Sequence, residues 1–196
     1  MDGGGLKSDW KAVFPPVAAA VTAIDILPEP DATMLQKSAA NNAYLLAIFR
    51  MGFAVDATHR PHITMIQRFV RTADLDQVYA AAGPVLSRAN VTGMRLEAFK
   101  YDDVPNNDLG VAGIVAKPTP ELLKLRADLI AAAFVPKASG EHFNPDVTTG
   151  VAPREYLDKL LAVPFATFTF SPAGAAVYQL GPFGTAAKKL KEWDLN

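Results

Sequence analysis

The residues best suited to chemistry are two polar pairs that share one short pattern. The motifs PHIT and PDVT place His62 with Thr64 and, far along the chain, Asp146 with Thr148. Because successive side chains of a strand point to opposite faces, the two members of each pair lie on one face. If the motifs meet across a pseudo-two-fold axis, two titratable groups and two hydroxyls converge on one cleft. Imidazole suits proton transfer there, because its ordinary pKa of about 6.5 is close to neutral pH.

The two motifs together resemble the signature of the two-histidine (2H) phosphoesterase superfamily, which includes cyclic phosphodiesterases and bacterial 2′-5′ RNA ligase-like proteins. Members of that family carry one His-X-Thr/Ser motif in each of two pseudo-symmetric lobes. The first copy here lies in PHITMIQRF and the second in NPDVTTGVA, where Gly150 stands at a position that often follows the family motif. The order of predicted elements from Val17 to Leu180 agrees with this layout.

The resemblance implies metal-independent opening of a cyclic phosphodiester, such as a 2′,3′-cyclic nucleotide or an RNA end. In the family, one imidazole acts as general base on water and the other protonates the leaving oxygen. The threonine hydroxyls hold the nonbridging oxygens. Carried over to this sequence, His62 and Asp146 are the catalytic residues, and Thr64 and Thr148 bind phosphate. No cofactor and no metal ion is implied.

Asp146 departs from the family pattern, which has a second histidine at this position. A carboxyl group with an ordinary pKa of about 3.9 is ionised at neutral pH and repels an anionic phosphate. It suits a general base, whereas a general acid needs a pKa raised by burial or by a neighbouring charge. We therefore expect weakened or redirected phosphoesterase activity. The alternatives are a non-catalytic module that binds a nucleotide or RNA end, and a hydrolase that uses His62 and Asp146 as metal ligands.

Three further residues lie near the motifs. Strand alternation predicts that Arg68 shares the face of His62, where its guanidinium would bind phosphate; otherwise it is a solvated arginine at a strand end. His142 lies shortly before Asp146 and is a candidate replacement imidazole. His59 forms a His-X-X-His spacing with His62, but a segment that enters a strand does not hold such a pair in a metal-binding geometry. No metal site is predicted from it.

Aromatic and basic residues near the end of the chain also have an interpretation. Tyr178 and Phe183 are candidates for stacking on a base, although aromatic residues at strand spacing more often belong to the core. Lys188, Lys189 and Lys191 predict a solvated helix face within a terminal amphipathic segment.

Composition limits the classes of function. The chain has 196 residues, 19 Lys and Arg, 20 Asp and Glu, three His and no Cys. The absence of cysteine excludes disulfides, iron–sulfur clusters and thiol nucleophiles. The balanced charge argues against a general binder of double-stranded nucleic acid. No apolar run reaches the ~18–20 residues of a membrane helix, so we expect no membrane partner. We expect the protein to be a monomer that binds a nucleotide or an RNA end. Its compartment stays open, with the cytoplasm as the default.

The elements that position these residues are predicted from hydrophobic periodicity and capping signals. Strands are predicted over residues 17–27, 62–70, 94–101, 109–116, 146–152, 165–170 and 175–180. Helices are predicted after Asp31 (burying Leu35, Ala39, Leu46, Phe49 and Phe53), after Thr72 up to Gly83-Pro84, from Pro120, and around Tyr156.

This irregular order predicts an α+β fold of mainly antiparallel sheets, with two pseudo-symmetric lobes and flanking helices around a central cleft. The chain of residues 1–196 is expected to be one two-lobed domain, and residues 1–16 a loosely ordered N-terminal extension.

Overall fold

The fold is described from a computed structural model, which describes residues 20–132 and 143–195. The predictions for residues 1–16 and for His142 lie outside the described residues. The elements in chain order are β1 (Val21–Glu29), α1 (Ala32–Ile48), β2 (Ile66–Arg71), α2 (Leu75–Leu86), β3 (Met94–Asp103), β4 (Leu109–Ala116), α3 (Pro120–Ala132), β5 (Asp146–Pro153), α4 (Arg154–Leu161), β6 (Phe168–Phe170), β7 (Gly174–Leu180) and β8 (Ala186–Trp193).

Two four-stranded sheets form the two lobes. Sheet A has the strand order β2-β1-β7-β8, and sheet B has the order β5-β4-β3-β6. All neighbouring strands run antiparallel. Helices α1 and α4 contact strands of sheet B, whereas α2 and α3 contact each other and strands of sheet A. The predicted α+β class with antiparallel sheets is confirmed.

Capping residues begin two of the helices at the predicted places. The Asp31 carboxylate accepts a hydrogen bond from the Met34 backbone N–H at 2.8 Å, which satisfies a free donor in the first turn of α1. The Thr119 hydroxyl accepts one from the Leu122 N–H at 3.2 Å and starts α3 at Pro120, whose missing N–H costs nothing there. Local sequence thus sets where these helices start.

Several of the predicted elements differ in the structure. The strand predicted over residues 62–70 is limited to β2, so the PHIT motif precedes the regular strand, and the strand predicted over residues 165–170 is limited to β6. Helix α1 buries a different stripe, namely Met34, Ser38, Asn42 and Leu45. Helix α2 continues through Pro84 to Leu86. The terminal segment is strand β8, not a helix, so its lysines lie along an edge strand. Pairing with β7 decides this case, because AAKKLKEW has too few apolar residues to distinguish a helical period from a strand period.

One hydrophobic core runs through both lobes. It combines buried side chains of both sheets and of helices α1, α2 and α3, including Ile26, Met94, Ile114, Val147 and Val177. A smaller cluster packs α1 and α4 on sheet B, and another lies within sheet A. No helix among the described residues is long and apolar enough to cross a membrane.

Candidate functional site

A single backbone contact brings the two motifs together. Ile63, which lies outside the regular strands, forms an isolated antiparallel bridge with Val147 of β5, and both side chains are buried in the common core. Their neighbours in sequence therefore point to the opposite side. In an antiparallel pair, the residue before one partner lies opposite the residue after the other, which sets His62 opposite Thr148 and Thr64 opposite Asp146. The bridge thus places the two polar pairs side by side.

His62 is buried and both its ring nitrogens are hydrogen-bonded. Its side chain is 5% exposed, with Nδ1 2.8 Å from the Arg60 carbonyl oxygen and Nε2 3.0 Å from Asp25 Oδ2. A carbonyl oxygen and a carboxylate oxygen both accept hydrogen bonds, so these contacts favour a ring that is protonated on both nitrogens. Burial lowers the pKa of His62, but the hydrogen bond and charge of Asp25 outweigh it and raise the pKa above 6.5.

Asp25 is the central acceptor of the site and was not predicted. It is fully buried, and its Oδ2 accepts hydrogen bonds from His62 Nε2, from the Thr64 hydroxyl at 2.7 Å and from Gln67 Nε2 at 3.2 Å. Its Oδ1 is buried and has no hydrogen-bond partner in the described part of the chain. The sequence does hold a signal for it, since Asp25 is an acidic residue with apolar neighbours on both sides in the stretch AIDIL.

Gln67, and not Arg68, shares the site face of strand β2. The β1–β2 register pairs Gln67 with Asp25, and it pairs Arg68 with Ile24 of the core. Directly paired residues share a face of the sheet, so Arg68 lies on the face opposite the site and the prediction of its position is wrong. The reason is a break in alternation before β2, where the consecutive residues Met65 and Ile66 are both buried.

Asp146 lies beside a lysine that the sequence analysis also missed. Lys100 Nζ is 3.4 Å from Asp146 Oδ1 and 2.6 Å from Asp102 Oδ2. Burial raises the pKa of Asp146, and the nearby charges of Lys100 and His62 only partly offset this effect. For Lys100, burial lowers the pKa, but its contacts with Asp102 and Asp146 outweigh burial and raise it. Lys100 is therefore positively charged at neutral pH.

Arg60, two residues before His62, is held by a backbone bridge and by an ion pair with a buried carboxylate. Arg60 forms an antiparallel bridge with Ala186 of β8, and its Nε lies 3.2 Å from Glu29 Oε2. The same buried carboxylate accepts from the Tyr178 hydroxyl at 2.9 Å and lies 2.8 Å from Lys189 Nζ. Tyr178 is thus a buried core residue and has no face open to a base.

The remaining candidates lie around the site. His59 is hydrogen-bonded to Asp56 at 3.1 Å and stacks on Phe53, with ring centroids 4.8 Å apart. Phe183 is 54% exposed and also stacks on Phe53 at 6.4 Å. The next residue, Gly184, lies against Gln67, so this aromatic group adjoins the site. Across residues 20–132 and 143–195, no cluster of three or more His, Cys, Asp or Glu has the arrangement of a metal site.

The fold is similar to those of several solved structures. No protein-family model and no curated protein matches the sequence. Among solved structures, TT0787 of Thermus thermophilus is similar with a TM-score of 0.62 and 19% identity, over 88% of this chain and 97% of that one. LigT of E. coli in apo form is similar with a TM-score of 0.55 and 15% identity, over 90% of this chain and 99% of that one. The chain has the LigT fold. At 19% and 15% identity, this similarity shows the fold alone.

Proposed function

We propose that the cleft beside the Ile63–Val147 bridge is the site of a phosphoesterase that opens a cyclic phosphodiester, such as a 2′,3′-cyclic nucleotide or an RNA end. The observation that carries this proposal is the bridge itself, because it places the two motif pairs on one side of the molecule. The LigT fold supports it as well. A structure of E. coli LigT complexed with 3′-AMP, similar to this chain with a TM-score of 0.51, 14% identity and coverage of 90% of this chain and 99% of that one, supports a nucleotide as ligand.

The contacts of His62 support one assignment of the two catalytic roles. His62, whose pKa is raised by Asp25, serves as general acid, whereas Asp146 serves as general base. Asp146 removes a proton from water, whose oxygen forms a bond to phosphorus. The bond from phosphorus to the leaving ribose oxygen breaks, and His62 Nε2 gives that oxygen its proton. Solvent then returns a proton to His62 and accepts one from Asp146.

Two threonines and one carboxylate support this chemistry. Thr64 and Thr148 flank the bridge and bind the nonbridging oxygens of the phosphate. The Thr64 hydroxyl donates to Asp25 in the free protein, so it turns from this carboxylate to the ligand on binding. Asp25 is a positioning residue, because it holds the His62 ring and stabilises its positive charge. The leaving oxygen of the substrate competes with Asp25 for the Nε2 proton.

The contact between His62 and Asp25 also favours a second function, which is non-catalytic binding of a nucleotide or RNA end. Asp25 Oδ2 already accepts the Nε2 proton of His62, and Asp146 adds a second negative charge at the cleft. In that case the cleft keeps its ligand but does not cleave it. Binding without turnover distinguishes this function from the first.

The experiment measures turnover of the four 2′,3′-cyclic nucleotides, and binding of 3′-AMP, by the wild type and by H62A, D146N and D146H. As a phosphoesterase, the wild type turns over at least one nucleotide, and H62A and D146N each lose about 10²- to 10⁴-fold in rate. H59A is the matched control, because His59 is bonded to Asp56 and has no assigned role.

The outcomes separate the proposals. Restoration or increase of turnover in D146H, with retained activity in the presence of a chelator, supports metal-independent chemistry of the 2H type. Binding of 3′-AMP that H62A weakens, without turnover by any variant, supports the binding module. Neither turnover nor binding by the wild type overturns both proposals.

A further inference from the structure

Lys100 lies on the same face of sheet B as the second motif. The register pairs Lys100 of β3 with Gly113 of β4, and pairs Gly113 with Thr148 of β5. Directly paired residues of neighbouring strands share a face, so Lys100 and Thr148 lie in one row with a glycine between them. Asp146, two residues before Thr148, shares this face. A cation therefore contacts Asp146 and lies on the same face as Thr148.

Gly113 provides the space in which Lys100 and Asp146 meet. A Cβ at this position would lie 2.9 Å from Asp146 Oδ2 and 3.7 Å from Lys100 Cγ. The first distance is too short for any side chain, so only glycine leaves both groups where they are. The missing side chain leaves room for the Asp146 carboxylate, which lies over Gly113 beside Lys100.

The two carboxylates that hold Lys100 differ in how well they are solvated. The side chains of Lys100 and Asp146 are 23% and 25% exposed, whereas that of Asp102 is 67% exposed. An exposed ion pair contributes little to stability, so an anion that reaches Lys100 competes readily with Asp102. The longer contact, 3.4 Å to Asp146, is also the weaker of the two in geometry.

We propose that Lys100 is an anion-binding residue of the cleft, which exchanges its contacts with Asp102 and Asp146 for the phosphate group of the ligand. It supplies, from strand β3, positive charge next to a motif in which an aspartate stands where the 2H family has histidine. Asp146 is its counter-ion in the free protein. This inference deepens the proposed function and rests on the same cleft, but it concerns binding of the anion and not its cleavage.

The test is titration with sulfate, an anion of phosphate shape that does not change its own charge near neutral pH. Chemical shifts of the backbone amides of residues 146–150 report binding. We expect K100M to weaken sulfate binding at least tenfold and K100R to retain it. D146N, which removes the counter-ion and a repulsive charge, strengthens binding several-fold.

The matched control is K124M, because Lys124 is also paired with an aspartate but lies on helix α3, away from the motifs. It leaves sulfate binding unchanged, and thermal unfolding verifies that each variant is folded. Equal sulfate affinity of K100M and wild type, or no shift at residues 146–150 in the wild type, overturns the inference. Sulfate binding that depends on Lys100 in a protein without turnover leaves this inference standing and removes only the catalytic proposal.

Discussion

At the scale of single residues, the site is defined by a buried histidine whose charge depends on one carboxylate. Asp25 Oδ2 accepts from His62 Nε2, from Thr64 and from Gln67, all within 3.2 Å. The opposing effect is burial, which favours the neutral ring. Which protonation state His62 holds at neutral pH is therefore a balance between desolvation and Asp25.

Replacing the carboxylate tests this balance directly. In D25N, the negative charge is lost while the shape of the side chain is kept, so burial acts with less opposition and the pKa of His62 falls. Proton NMR titration of the His62 ring measures the pKa, and the spectrum of H62Q assigns its resonance among the three histidines. A pKa of His62 that is the same in D25N and the wild type would contradict the role of Asp25.

The raised pKa of His62 also predicts how stability depends on pH. A group whose pKa is raised on folding stabilises the folded state below its unfolded pKa, here 6.5, and this contribution is lost as the pH rises through the folded pKa. We expect the free energy of unfolding of the wild type to fall as the pH rises above about 6.5, and the fall to be smaller in D25N. Urea unfolding at a series of pH values measures it, and equal falls in the two proteins would count against the prediction.

Lys100 and Asp146 form the corresponding pair on the second motif. The charge of Lys100 lowers the pKa of Asp146 and partly offsets the effect of burial. Removing this charge in K100M is therefore expected to raise the pKa of Asp146 further. Carbon-13 NMR titration of the Asp146 carboxyl, assigned with D146N, measures the change. K100R keeps the charge and serves as control, and a lower pKa in K100M would refute the prediction.

At the scale of elements, one buried amide connects three segments around the site. Asn42 of α1 donates to the carbonyl oxygens of Phe53 and Thr149, each at 2.9 Å, and accepts from the Val55 N–H at 2.9 Å. It thereby joins the helix to the segment that leads into the first motif and to β5, which carries the second. This is why α1 buries a stripe with polar members, which an apolar periodicity does not reveal.

Removing this amide is expected to destabilise the fold. In N42A, the two carbonyls and one N–H lose their partner in a partly buried place, which costs about 1–3 kcal/mol in the free energy of unfolding. The neighbouring residue provides the control, since N41A alters a more exposed asparagine of the same helix and is expected to change stability by less than about 0.5 kcal/mol. Urea unfolding measures both, and equal changes in the two variants would contradict a stabilising role of the Asn42 hydrogen bonds.

At the scale of the whole molecule, the two lobes share one core and one bridge. Ile63 and Val147 are buried in this core and belong to the two motifs. The lobes are therefore expected to unfold together, in a single cooperative transition. The same contact that builds the site thus also joins the lobes.

Truncating the bridge tests this coupling. I63A removes a buried branched side chain and is expected to cost about 2–5 kcal/mol in the free energy of unfolding. In a W10F background, fluorescence reports Trp193 of β8 alone, because the chain has two tryptophans, and far-UV circular dichroism reports both sheets. Coincident transitions by the two methods are expected in both proteins, and separate transitions would show that the lobes fold independently.

Much of the local structure follows from short-range rules. Strand β4 has the bounds that its apolar run predicts, and Asp31 and Thr119 begin their helices because their side chains bond the first free amides. The terminal strand β8 was not predictable, since its lysine-rich segment becomes a strand only by pairing with β7. Local sequence predicts an element where a side chain bonds to backbone groups close to it in sequence. It fails where pairing with a distant strand decides the structure.

The sequence alone indicated His62, Thr64, Asp146 and Thr148, because a repeated motif keeps its pattern wherever the chain runs. It did not indicate which groups oppose them. Asp25 comes from β1 and Lys100 from β3, and antiparallel pairing and the bridge bring these distant residues to the motifs. Their effect on charge and proton affinity depends on distance and burial, which are properties of the tertiary structure. The motifs thus indicate four residues of the candidate site, and the fold decides which charged groups lie beside them and shift their proton affinity.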